Sequence, residues 1–522
     1  MPMVSVRFRG QPTVRLLGYC PDSPAEVLAQ VAAGTKPSGL KGDFVLIAEG
    51  IDEATGRPQT VFVSTVVSAV PYFFHLAGES LSHASNVFEC CEKAGVPWRW
   101  NERAIAQLAL FDHLITDESM HADIRRVPQA SVLRFCDGKL ECHSDSYWHD
   151  RYLDPPHDAK VDDGADLILQ LLGELPSERG HTLSLSAGYD SRLLLAGLLH
   201  LKREVTTASM GHEQSTDSRI AAKLAQAVGI PFRRLEILPR DYITYARAIM
   251  TTTSGEKTFS HWHTGIYSER VGFDPAAWHL AGSNGEVCRS YYFDKGWQGL
   301  CLQWAGVRAW PLRLRIKHSI RLTIPRRICD AMSPTGAFRR HLSTGRYLRE
   351  ACVRGPRFLD GLEMFYASHR VRYFIGLGLA LYRRAFPTMS PFLDARFIDY
   401  ASRLPHSLKS ASRFHRSTIA RLFPQLAAFP TDDTQVPMSA SPGPLYYRRH
   451  HPFTAYNPLP QARDLPEVRE WSREGLKLLG AMQSHMDADA SLERAMERWD
   501  LPITLGALID TLKTRGIPVS AG

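Results

Sequence analysis

Six residues, Ser186-Ala187-Gly188-Tyr189-Asp190-Ser191, carry the strongest chemical signal in the chain. They stand between an apolar run, Thr182-Leu183-Ser184-Leu185, and a leucine-rich stretch from Arg192 to Leu201. The order reads strand, small-residue turn, helix. A helix start presents backbone N–H groups without intrahelical partners and the positive end of a dipole, a setting that suits a phosphate. Ser186 and Ser191 add hydroxyls, and Gly188 lets the backbone approach an anion closely. The Asp190 carboxylate suits Mg2+ beside a polyphosphate. No Gly-x-x-x-x-Gly-Lys-Ser/Thr occurs in the chain, so this is not a Walker cradle.

The elements around the hexapeptide extend the pattern. Val205 to Leu238 reads strand, polar loop, helix, strand, with Ser209-Met210-Gly211 at the end of its first strand. Ile220, Leu224 and Val228 have helical spacing, and Gly229-Ile230-Pro231 stops the helix. Further on come Leu280-Ala281-Gly282-Ser283-Asn284-Gly285-Glu286 and Pro391-Phe392-Leu393-Asp394. The hexapeptide resembles the Ser-Gly-Gly-x-Asp-Ser loop of the PP-loop ATP pyrophosphatases, with Ala187 in place of the first glycine. The four segments, in this order, resemble the asparagine synthetase branch of that superfamily. The resemblance covers roughly residues 180 to 440. It implies ATP contacts at Leu185, Ser186, Gly188, Asp190, Ser191, Ser209, Met210, Gly211 and Gly282. It implies Mg2+ held by Asp190 and Glu286.

A chain of 522 residues suggests two domains or three. No apolar run is long enough to span a membrane. Arg7, Arg9 and Arg15 are followed by no apolar stretch, which argues against a signal peptide. Nine cysteines with no Cys-x-x-Cys fit a reducing cytoplasm better than a disulfide framework or zinc site. Cys90-Cys91 reads as buried hydrophobes.

The first 150 residues alternate strands and turns: Val4 to Phe8, Phe44 to Glu49, Thr60 to Val67 and Tyr72 to His75, then a helix from Glu102 to Phe111. His149 to Gly164 reads as a linker. This head is similar in pattern to the glutaminase domain of asparagine synthetase. Leu40-Lys41-Gly42-Asp43-Phe44 and Arg126-Val127-Pro128-Gln129-Ala130-Ser131 stand in the places of two of its segments. The fold class that the resemblance implies is α/β. An Ntn-hydrolase-like α+β sandwich spans residues 1–150, and a doubly wound PP-loop synthetase domain (adenine nucleotide alpha hydrolase-like) with a helical C-terminal part spans 160–522. A glutaminase of this type needs Cys at position 2, whose own α-amine serves as base. This chain has Pro2, and it lacks the Asn-Gly-Glu and Arg-Leu-x-Ile segments. The head therefore reads as degenerate, a structural domain without glutamine hydrolysis.

The same holds in two offshoots of the family, the β-lactam synthetases and lasso-peptide cyclases. The implied activity is an ATP-dependent carbon–nitrogen ligase: a carboxylate is adenylated, pyrophosphate leaves, and an amine of the same or a second substrate attacks. Peptide macrolactams, small-metabolite amides and glycan sugar-acid amides stay open as products, as does a homodimer. An isoelectric point near 9.0 raises a tRNA-modifying PP-loop enzyme as an alternative. The lack of paired redox cysteines and of an RNA-binding module speaks against nucleic acid. A catalytically inactive nucleotide-binding partner is the third reading.

The general base is not named by the sequence. Ser283 stands where the family carries Glu or a catalytic Tyr, and Asp432-Asp433-Thr434-Gln435-Val436-Pro437 lacks the late lysine of the cyclising enzymes. Glu363, Tyr291 and Tyr292 are the candidates. His261-Trp262-His263, read as a strand, points both imidazoles one way, toward substrate or packing rather than metal. Arg370 is a candidate grip for a substrate carboxylate. Trp297, Trp304 and Trp310 read as core or pocket wall. A dense run of cations from Arg308 to Arg357, with Asp330 and Glu350 its only acids, predicts a positive field favouring an anionic or acidic-peptide substrate.

Overall fold

The computed structural model describes residues 6–152, 155–289, 291, 358–431, 436–440, 457–483 and 498–520. The chain is mixed α/β, with antiparallel sheets in its N-terminal part and a parallel sheet after them.

Among the described residues eight strands build the N-terminal part: β1 (Thr13–Tyr19), β2 (Asp43–Ile51), β3 (Pro58–Ser64), β4 (Phe73–Ala77), β5 (Ser80–Ala84), β6 (Ile124–Arg126), β7 (Ser131–Cys136) and β8 (Lys139–Ser144). One sheet runs β1-β2-β3-β7-β8 and the other β5-β4-β6, all neighbours antiparallel. Strand β2 shows why the sheet is sandwiched. Its period of two sends Phe44, Leu46 and Ala48 into one buried cluster and Val45 and Ile47 into another. The first cluster is closed by Val27, Leu28 and Val31 of helix α1 (Pro24–Ala32). The second is closed by Tyr72, Phe74 and Val127 near the smaller sheet. Helix α1 starts at a capping box, with Ser23 N–H donating to Glu26 Oε2 at 2.7 Å. Helices α2 (Val87–Ala94) and α3 (Glu102–Phe111) start at Asn86 and Asn101, whose side chains accept from the first turn.

Two local expectations are corrected. Among the described residues Phe8 makes only an isolated bridge, to Asp52, and the first strand is Thr13–Tyr19 instead. The expected linker holds the end of one helix and the start of another, α4 (Tyr147–Tyr152) and α5 (Val161–Gly173). Two of its acids are helix-start residues: Lys160 N–H donates to Asp163 Oδ2 at 3.2 Å, and Asp162 and Asp163 sit at the positive end of the dipole.

The parallel sheet has five strands: β9 (His181–Ser184), β10 (Val205–Met210), β11 (Phe232–Leu235), β12 (Trp278–Leu280) and β13 (Thr388–Met389), in the order β11-β10-β9-β12-β13. Helix α6 (Tyr189–His200) follows β9 with Leu193, Leu194, Leu195 and Leu198 all buried, packed between α5 and the later helix Arg413–Leu422. Helix α7 (Thr216–Val228) follows β10 and ends at Gly229, whose φ of +70° needs glycine.

The N-terminal sheets share buried clusters with the rest. Val66, Val67, Ala69 and Phe111 pack in one cluster with Leu183 and Leu280. The expected motifs Gly42-Asp43 and Pro391–Asp394 meet at this seam, where Gly42 N–H donates to Asp394 Oδ2 at 2.7 Å. Arg383 Nη2 donates to Asp43 Oδ2 at 2.8 Å. Arg372 is fully buried and donates to the Val127 carbonyl and Asp117, so it ties the two parts together.

Candidate functional site

After β9 the chain adds β10 and β11 on one side, then β12 and β13 on the other. At such a reversal, loops leaving the carboxyl ends of two neighbouring strands open a crevice. Those two loops are the two sequence motifs. Gly188 caps α6, so the hexapeptide is a strand–turn–helix junction as expected. The second loop follows β12 and presses against it. A Cβ on Gly282 would lie 2.9 Å from the Ser191 nitrogen, and one on Gly285 would strike the Asp190 carboxylate. Glycine at both positions permits this approach. Asn284 turns the loop with a φ of +78°, which asparagine tolerates, and its Nδ2 donates to the Phe392 carbonyl at 2.6 Å. Ser390 Oγ donates to the Ser283 carbonyl at 2.6 Å, so the segment leading into Pro391–Asp394 braces the second loop.

The crossing brings Asp190 and Glu286 together. Arg289 Nη2 lies 2.7 Å from Asp190 Oδ2 and 3.5 Å from Glu286 Oε1. His415 Nε2, fully buried, lies 2.8 Å from Asp190 Oδ1. Burial pushes the Asp190 carboxyl up, but Arg289 and His415 outweigh it and the net shift is downward. Burial and the Asp190 charge push Glu286 up. The two acids are thus driven apart, as neighbouring carboxylates are when one holds the counter-ion. Glu286 Oε2 is buried without a hydrogen-bond partner among the described residues. Two carboxylates with an unsatisfied oxygen fit a hard divalent cation, with Arg289 now where that cation's charge would be.

The cradle differs from expectation in one respect: its backbone donors are engaged within the protein. Ser186 N–H donates to Ser191 Oγ at 3.1 Å, Gly188 N–H to Ser186 Oγ at 3.1 Å, and Ala187 N–H to Asp217 Oδ1 at 2.6 Å. The Ser186 and Ser191 hydroxyls are 2.9 Å apart. A cavity of about 220 Å³ opens beside the loop, lined by Leu185, Ser186, Ser209, Met210, Asp217 and His263 among others. It sits at the carboxyl ends of β9 and β10. Gly211, just beyond, has a φ of +147° and donates to the Leu235 carbonyl at 2.8 Å.

The remaining candidates form a chain of rings. The Tyr291 and Tyr366 rings stack with centroids 4.6 Å apart, and the Arg370 guanidinium lies 5.3 Å from the Tyr291 centroid and 4.5 Å from that of Phe374. Arg370 and Phe374 belong to a π-helical stretch, Tyr366–Ile375, a geometry frequent at functional sites. His261 meets Phe374 edge-on at 4.7 Å, and Lys257 Nζ sits 4.3 Å from the same ring centroid. The expected strand at 261–263 is corrected: His261 ends a 3-10 turn and His263 begins a helix. Their rings still meet edge to face, with centroids 6.3 Å apart, but His261 Nε2 sits on Asp112 Oδ2 at 3.1 Å and His263 at the cavity. Burial, then the charges of Lys257 and His261, push His263 down to about 4. Burial and the Arg370 charge push Lys257 down to about 7. Glu363 is buried, ion-paired with Lys409, and its Oε1 lies 3.4 Å from His406 Nδ1. Cys288, in the second loop, is within electrostatic reach of Glu363 and Lys409 as well as Asp190 and Arg289.

Tyr292, the three tryptophans from Trp297 to Trp310 and the basic run from Arg308 to Arg357 lie outside the described residues. Sequence reasoning missed Arg289, His415, Asp217, Lys257 and Lys409. Arg289 carried a signal, three residues after Glu286, whereas the others reach the site only through the fold. No protein-family model and no curated protein matches the chain.

Proposed function

We propose that the chain is an ATP-dependent, AMP-forming carbon–nitrogen ligase of the asparagine synthetase-like PP-loop kind, with an Ntn-hydrolase-like head that has lost glutaminase chemistry. One observation carries the reading: two glycine-bearing loops at the strand-order reversal bring Asp190 and Glu286 onto one arginine, beside a cavity lined by Leu185, Ser186, Ser209 and Met210. Ser186, Ser191 and the start of α6 would hold the phosphates, and Asp190 and Glu286 would hold Mg2+. ATP bound there supplies activation of a carboxylate, with pyrophosphate as leaving group. Arg289, which now neutralises both carboxylates, would supply positive charge beside the phosphates if Mg2+ took those acids. Asp217, which accepts from Ala187 N–H, lines the same cavity and would face the bound nucleotide. The depressed Lys257 is close to half-charged at neutral pH next to His263.

A second reading, a nucleotide-binding partner without turnover, is favoured by the pairing of Asp190 with both Arg289 and His415. Titration with a non-hydrolysable ATP analogue, with and without Mg2+, tests what both share. Expected is Mg2+-enhanced binding that Asp190→Ala abolishes. Absence of binding, or binding indifferent to Asp190→Ala and Glu286→Gln, overturns the site. Pyrophosphate release on addition of carboxylate mixtures separates ligase from inactive partner.

A further inference from the structure

Outside this crossing, three segments distant in sequence converge on one carboxylate oxygen. His157 lies in the loop before α5, Asp360 in the helix Phe358–Phe365, and His406 at the start of the helix His406–Lys409. His406 Nε2 is 2.9 Å from Asp360 Oδ1, and His157 Nε2 is 3.4 Å from the same atom. All three donor atoms lie within 4.8 Å of one another. We propose that His157, Asp360 and His406 form a binding site for a divalent transition-metal ion, zinc being the best match.

The spacing is that of a ligand set. Metal–ligand bonds of about 2.0–2.1 Å at tetrahedral angles put neighbouring donors about 3.3 Å apart, which the two nitrogen–oxygen separations bracket. The donor types select the ion: two imidazoles and one carboxylate favour zinc and its neighbours over Mg2+, which prefers oxygen alone. This distinguishes the cluster from the all-oxygen pair of Asp190 and Glu286. The outer contacts also fit. His406 Nδ1 faces Glu363 Oε1 at 3.4 Å, and Glu363 is itself fixed by Lys409, the carboxylate–histidine arrangement that orients metal ligands. His157 Nδ1 is buried without a hydrogen-bond partner among the described residues. His157 holds a φ of +53°, a conformation uncommon outside glycine that aims its ring at Asp360. The Asp360 side chain is 4% exposed, whereas those of His157 and His406 are 31% and 24% exposed. An ion therefore enters from the histidine side, where a fourth position is left for water.

The full chain, stripped with a chelator and dialysed, is titrated with Zn2+ against a chromophoric competitor, and separately with Co2+ for its visible ligand-field bands. Expected is one tight site per chain, retained in excess Mg2+ and in Asp190→Ala, with intense tetrahedral Co2+ bands. His157→Gln and His406→Gln should each weaken Zn2+ by at least about tenfold. His157→Gln, in a partly exposed loop, is the variant that keeps its fold, checked by circular dichroism. A parent chain with no tight site, or a His157→Gln/His406→Gln double variant that binds like the parent, overturns the proposal. So does Mg2+ displacing Zn2+ on equal terms.

Discussion

Two pairs of carboxylates do opposite things in this molecule. At the seam, Asp394 accepts from Gly42 N–H at 2.7 Å and from Arg396 N–H and Nε at 2.9 and 2.8 Å, while Arg396 also grips Glu174. Asp43 accepts from Ala69 N–H at 2.9 Å and from Arg383 at 2.8 Å. Each oxygen of these acids has a donor. At the loop crossing, Asp190 and Glu286 share one arginine, and Glu286 Oε2 has no hydrogen-bond partner among the described residues. A saturated carboxylate is a strut, because removing it strands its partners. A carboxylate left with open lone pairs carries a cost that protonation or a bound cation relieves.

The largest effect is expected at the strut. Asp394→Ala leaves Gly42 N–H and the Arg396 N–H and Nε without their acceptor and removes the cap of the helix Ala395–Arg403. It should lower the unfolding free energy by about 3 kcal/mol, read from denaturant titration. Nucleotide affinity per folded molecule should hold. An Asp394→Ala chain as stable as the parent would remove the strut side of the comparison.

Next comes Asp190→Asn. It keeps shape but loses the charge that a metal needs, so Mg2+-dependent ATP-analogue affinity should drop by about tenfold or more. The melting temperature should move much less than in Asp394→Ala. Equal stability losses in the two variants, with affinity unchanged, would make Asp190 a strut as well.

Glu286→Gln sharpens the same contrast through pH. The Glu286 carboxyl is raised by burial and by Asp190. A raised carboxyl stabilises the fold below its unfolded value and loses that contribution as pH rises through the folded one. The glutamine variant should therefore melt higher than the parent at neutral pH and not at acid pH. Mg2+-dependent binding in the parent should strengthen over the same rise, since the cation needs both acids ionised. A melting difference that ignores pH would separate Glu286 from Asp190 electrostatically.

What the sequence disclosed follows from range. The hexapeptide, the Gly282–Gly285 loop and Pro391–Asp394 are local patterns, and the strand order that joins them is implied by their succession. The glycines at 282 and 285 are legible because they serve backbone approach. His415 on Asp190 and Lys409 on Glu363 join residues far apart in the chain, and no local pattern marks them. The misread linker had a local cause: Asp162 and Asp163 are exposed charges, and nothing local shows that they stand in the first turn of a helix. At His261-Trp262-His263 alternation suggested a strand, but Trp262 is fully buried and its indole donates to the Lys257 carbonyl at 3.0 Å, fixing a turn instead.

The smallest expected effect tests an exception at the seam. Glu256 is 1% exposed, and neither carboxylate oxygen has a hydrogen-bond partner among the described residues. Burial raises its carboxyl to about 8, with the Arg126 and Arg372 charges only partly opposing. The acid is thus held neutral at pH 7 inside the seam. By linkage its contribution is complete below the unfolded value near 4.5 and falls as pH rises toward 8, because the unfolded chain gives up the proton first. Glu256→Gln, neutral throughout, should lack this fall. The melting temperature of the variant minus that of the parent should grow steadily from pH 5 to pH 8, by a few degrees in all. A constant difference across that range would mean that Glu256 is ionised and paired like Asp43 and Asp394, and that the seam has no exception.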